Sequence, residues 1–101
     1  MDRIVELQAV TSRVVADYAG RSLNAKLYYI HDEARKIDSV VVVPVKREID
    51  PHIMVMTRIE GDQVIIETDT TDRPIEEALM AAGVPRSQIV IAYSGEGTAH
   101  T

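Results

Sequence analysis

The sequence predicts an α+β fold of two layers, a mostly antiparallel sheet of about four to five strands with two helices on one face. Three observations carry this expectation. Helical spacing of apolar residues opens the chain, β-rich segments separated by turn signals fill its middle, and a well-punctuated helix between two strands closes it. The order read from them is α-β-β-β-β-α-β.

Ile4, Leu7, Thr11, Val14 and Tyr18 recur every three or four residues between Asp2 and Ala19, so one face of a helix is apolar, and Gly20 ends it. Val5, Val10 and Val15 widen that face. They belong either to a broad core contact or to a surface that meets another subunit. Ala25 to His31 reads as a strand with Leu27 and Tyr29 on one side and Tyr28 and Ile30 on the other. A charged turn, His31 to Lys36, leads to Val40–Val45, which is β-branched on both faces. Pro44 cannot donate to a ladder, so this strand is either an edge or interrupted there, and an edge invites pairing with another chain.

His52–Glu60 and Gln63–Asp69 are two alternating runs joined by Gly61-Asp62, the pattern of a hairpin with a type II′ turn. Ile53, Val55, Thr57 and Ile59 are placed on one face opposite Val64 and Ile66, and that face is expected to carry the helices. Thr71 or Asp72 is then positioned to cap a helix, with Pro74 in its first turn and Glu76 and Glu77 near its positive end. Ile75, Ala78, Leu79 and Ala82 form its apolar stripe. Gly83 and Pro85 stop it, and Ile89 to Tyr93 returns as a strand. The domain is read as residues 1–93, with 94–101 a flexible polar tail.

Composition narrows what such a domain can do. A chain of 101 residues with 46% hydrophobic and 27% charged residues is an ordinary globular domain with room for one two-layer core. Eleven Lys and Arg against sixteen Asp and Glu give a formal charge of −5, which argues against direct nucleic-acid binding. Four tyrosines with no Trp or Phe make base-stacking platforms improbable, and the absence of cysteine removes disulfides and thiolate chemistry. The longest uninterrupted apolar run, Val40 to Val45, is far short of a membrane span, so the cytoplasm is the expected location.

No phosphate-binding glycine loop, nucleophile elbow or zincin motif is present. His31, Asp32 and Glu33 offer metal-ligand atoms, but neighbours in a turn point in different directions, and no metal is assigned. His52 reads as a strand-start residue and His100 as part of the tail. Asp69, Asp72, Glu76 and Glu77 cluster as acid–base partners would, although capping and the helix dipole account for the same residues. Lys46, Arg47 and Arg58 are interleaved with Glu48 and Asp50 and read as solvated. No catalytic, cofactor-binding or metal-ligating residue is therefore assigned, and no cofactor. A ligand-binding or enzymatic alternative places a pocket between the sheet and the second helix, lined by Tyr28, His52 and Asp69.

Met1-Asp2, Asp17-Tyr18-Ala19, the Gly61-Asp62 hairpin, Asp69, Thr71, Ile75, Leu79, Ala82-Gly83-Val84-Pro85 and Ile89-Val90 together resemble the XisI family, the excision controlling factors named for the fdxN DNA element. The correspondence of order and spacing extends to Tyr93. The chain departs from the family where Gly61-Asp62-Gln63-Val64-Ile65 replaces a hairpin exit with Trp, where Pro44-Val45 replaces Gly-Trp, and where Tyr93-Ser94-Gly95-Glu96 replaces Phe-His-Pro-Pro. The resemblance implies a non-catalytic accessory protein in programmed DNA excision, acting by protein–protein association with an XisH-like partner. Homo-oligomer formation is expected alongside it.

Overall fold

The computed structural model describes residues 3–21, 24–46 and 48–94. Arg47, His100 and the stretch from 95 to 101, most of the expected tail, lie outside the described residues, as do the side chains of Ile4 and Val5. The elements are α1 (Arg3–Ala16), β1 (Gly20–Arg21), β2 (Ala25–Asp32), β3 (Ile37–Pro44), β4 (His52–Glu60), β5 (Gln63–Asp69), α2 (Ile75–Ala81) and β6 (Ile89–Ile91). The expected α+β order is observed, with the two-residue β1 added at one edge.

All six strands form one sheet in sequence order, β1 to β6. Its pairs are antiparallel except β5 with β6, which is parallel across α2. Each antiparallel pair is a local connection, while the parallel pair needs the helix as its crossover. Gly61 has φ 62° and Asp62 is not among the residues with positive φ, as a type II′ turn requires. The β2–β3 turn is closed differently. Asp32 Oδ1 accepts the Arg35 N–H at 3.0 Å, and Lys36 takes φ 58°.

The core lies between the helices and one sheet face. Leu7, Val14 and Val15 from α1, Tyr18 just beyond it, and Ile75 and Leu79 from α2 meet Val40, Val55, Ile59, Val64 and Ile66. Val15 is fully buried and Val10 packs against this cluster, so these two valines serve a broad core face. Tyr18 ties the two helices together. It donates its hydroxyl to the Arg73 carbonyl at 2.7 Å, and the Arg73 guanidinium lies 4.7 Å from its ring centre.

Three local expectations are corrected. β3 is not an edge strand, since it lies between β2 and β4; the other reading of Pro44 holds, because the ladder with β4 stops at Val42 and Pro44 keeps only its pairing with Ala25 of β2. Ile53 is not on the core face. Val40 pairs with Val55 but Val41 pairs with Ile53, and this bulge gives the strand one extra residue. Met54 therefore packs against the core, while Ile53 is turned to the opposite face and left 44% exposed.

The third correction concerns the start of α2. Pro74 occupies the cap position without a side-chain hydrogen bond, and the Ile75 N–H is accepted by neither Thr71 nor Asp72. Asp69, at the end of β5, does this work: its Oδ2 accepts the Ile75 N–H at 2.7 Å, and its Oδ1 accepts Thr71 N–H at 2.9 Å and Thr71 Oγ1 at 2.6 Å. The helix ends as expected. Gly83 has φ 105°, Val84 N–H bonds the Leu79 carbonyl, and Gly83 N–H bonds that of Met80. These are the two bonds of a Schellman motif, with Val84 buried as its apolar contact.

Candidate functional site

Two features outside the apolar core have the character of a site. The first is a polar cluster on the helix side of the sheet. Asp38 shares the inward parity of Val40 on β3 and is only 2% exposed. Its Oδ2 accepts a hydrogen bond from Ser12 Oγ of α1 at 3.1 Å. Its Oδ1 accepts the Tyr29 hydroxyl at 2.5 Å and meets His31 Nδ1 at 2.8 Å. His31 Nε2 lies 2.8 Å from Glu33 Oε1, and the His31 ring stacks on Tyr29 at 6.3 Å between centroids.

The electrostatics follow from that geometry. Burial and the hydrogen bond to Asp38 raise the Tyr29 phenol to about 12. Glu33 first, and then Asp38, holds the His31 pKa above its usual value by bonding the protonated ring. Ser12 donates to Asp38, and neither His31 nitrogen is bonded to it; Asp38 and Glu33 take them instead. This arrangement ties α1 to β2 and β3 and leaves Ser12 without the histidine partner of a Ser–His pair.

The sequence-based candidates are scattered. Asp32 turns away from His31 to pair with Arg35 at 2.9 Å, and no group of three His, Asp or Glu among the described residues is arranged to hold a metal. His52 Nδ1 sits 3.2 Å from the Asp50 carbonyl. Glu76 pairs with Arg86, while Asp72 and Glu77 are exposed at the α2 start. Arg58 is bound to Glu60 and Glu67, at the far end of β4 from Lys46, so the two do not form a basic spot. The pocket imagined between the sheet and α2 does not form from its three residues: Tyr28 faces away from the helices, whereas Asp69 is engaged at the α2 start.

The second feature is the sheet face that no helix among the described residues covers. The register aligns Tyr28 with Val41 and Val41 with Ile53, so one apolar row crosses β2, β3 and β4 on this face. Tyr28 is 49% exposed and Ile30 51%. At the β2 start of the face an open cavity of ≈ 500 Å³ is lined by Lys26, Tyr28, Val43, Pro44, Val45 and Ile49, among others. Sequence reasoning placed Tyr28 and Ile30 on this side but missed Ile53, because only the bulge turns it outward. Asp38 was missed as well, though a carboxylate with the parity of Val40 was the available signal.

The family model for the XisI protein matches residues 1–100. The chain belongs to the XisI family. Two solved structures from Anabaena variabilis ATCC 29413 share the XisI fold. A XisI-like protein is 21% identical with TM-score 0.76, covering 92% of each chain. The fdxN element excision controlling factor XisI is also 21% identical, with TM-score 0.77 over 95% of this chain and 94% of that one. No curated protein sequence matches the chain. Among the described residues, no helix of this XisI family member is long and apolar enough to cross a membrane.

Proposed function

We propose that this XisI family member is a non-catalytic accessory protein of the cytoplasm, one domain over residues 1–93, that acts by binding another protein in programmed DNA element excision. The partner is an XisH-like protein, as the family resemblance implies. The observation that carries this reading is the uncovered apolar sheet face with Tyr28, Ile30 and Ile53 exposed on it, since large apolar side chains gathered on one face mark an interaction surface.

Two further facts support it. The most buried polar cluster is spent on internal hydrogen bonds, with Asp38 bonded to Ser12, Tyr29 and His31. The formal charge of −5 suits a protein that reaches DNA through a partner and not through phosphates. Co-expression with an XisH-like protein followed by size exclusion tests the reading. Co-elution as one complex is expected; separate elution of two folded proteins overturns it.

A further inference from the structure

We infer that the open sheet face is the site at which this chain binds a second copy of itself. The inference goes beyond the association reading above: it gives the same face a different occupant and holds independently of an XisH-like partner. Tyr28, Ile30, Val41, Ile53 and Met56 form the middle of the face, and no charged side chain stands among them. In a two-fold dimer the residues near the axis meet their own copies, so an uncharged apolar centre is the composition that tolerates self-contact.

The unbalanced charges lie toward opposite corners, since Asp32 on the same face is paired with Arg35. Lys26 stands on β2 at the end where β3 finishes and β4 starts. Arg58, Glu60 and Glu67 gather at the opposite end, on β4 and β5, with one carboxylate in excess over the guanidinium. A two-fold axis lying in the interface, at right angles to the line from Lys26 to Glu60, sets each Lys26 over the partner's Glu60 and brings the apolar rows together. The face is thus complementary to itself in charge as well as in composition.

The other occupants fit less well. The stretch from 95 to 101 reads Gly-Glu-Gly-Thr-Ala-His-Thr, with Ala99 its one hydrophobic residue, so it has little to bury on this face. Growth of the sheet through the β2 edge, where β1 pairs only Lys26 and Leu27, would leave the apolar row of the face in water. By size, four strands about 4.8 Å apart and about six residues long give a footprint of roughly 400 Å². Counted on both copies that is roughly 800 Å², and with the flanking exposed Val45 and Ile49 it has the size of a weak, reversible dimer contact.

The test is the solution mass of the full chain by light scattering at micromolar concentrations, together with Ile53→Lys, Tyr28→Glu, Lys26→Glu, Glu60→Lys and the Lys26→Glu/Glu60→Lys pair. Circular dichroism confirms that each variant is folded. The wild type is expected to be a dimer. Ile53→Lys and Tyr28→Glu become monomers, each single charge reversal weakens the dimer by about threefold or more, and the double reversal restores it. A monomeric wild type overturns the inference, and so does a dimer indifferent to both apolar variants.

Co-elution of the same variants with an XisH-like protein separates the two readings. A monomeric wild type whose complex is lost in Ile53→Lys assigns the face to that partner and overturns self-association alone. A dimer broken by Ile53→Lys supports the inference whether or not an XisH-like protein binds.

Discussion

The Tyr29 hydroxyl donates to Asp38 Oδ1 at 2.5 Å, and His31 Nδ1 reaches the same oxygen at 2.8 Å, so one buried carboxylate joins adjacent strands and, through Ser12, helix α1. Removing it leaves three polar groups without their partner. Asp38→Ala is expected to lower the unfolding free energy by about 2–4 kcal/mol, measured by urea denaturation. A loss below about 1 kcal/mol would show that water replaces the carboxylate at little cost.

His31 makes stability depend on pH. Glu33 and Asp38 raise its folded pKa above the usual value, so the stabilisation is fully present below the unfolded pKa of about 6.5 and fades as pH rises through the folded value. Thermal melts should therefore show the wild type losing stability from mildly acidic to mildly alkaline pH. His31→Gln should flatten that part of the profile, and Glu33→Gln, which removes the largest cause, should shift the loss to lower pH. Identical profiles for wild type and His31→Gln would refute the assignment.

Two positions test backbone conformation. A Cβ at Gly83 meets nothing within 4 Å, so Gly83→Ala should cost about 1 kcal/mol from the positive φ alone. Lys36 already carries that cost at φ 58°, and Lys36→Gly should be neutral or stabilising while Lys36→Val destabilises by about 1–2 kcal/mol. Equal stability for the two Lys36 variants would count against the left-handed turn.

Thr57 is fully buried and its hydroxyl has no hydrogen-bond partner; Thr11 is the same. Thr57→Val keeps the branched shape and removes the unpaired group, so it should raise stability by about 0.5–2 kcal/mol in chemical denaturation. Destabilisation by Thr57→Val would point to a water held in that layer.

Leu79 is completely buried between α2 and the sheet. Leu79→Ala should cost about 2–5 kcal/mol, a loss readily seen as a lower melting temperature. Met80, one residue on and 45% exposed, should tolerate Ala within about 0.5 kcal/mol.

What the sequence revealed divides along local and non-local lines. The Gly83 stop, the Gly61-Asp62 turn and the opposite faces of Leu27 and Tyr28 follow from one residue and its neighbours, and all are present. The cap of α2 was misplaced because Asp69 reaches six residues along the chain to Ile75, beyond the spacing of an ordinary cap. Ile53 was misassigned because strict alternation assumes an unbroken ladder, and pairing with β3 introduces a bulge that alternation does not reveal. The cluster around Asp38 combines Ser12, Tyr29, His31 and Glu33 from three elements, so only the assembled sheet brings it together.

The meander order of the sheet also governs how quickly the chain can find it. β1 through β5 pair only with sequence neighbours, so each hairpin closes a short loop, and the entropy lost before contacts form is small. β6 alone pairs across a helix, with α2 between it and β5 in the chain. The short loops of the four hairpins favour their pairing early, whereas the β5–β6 pairing closes the longest loop in the sheet.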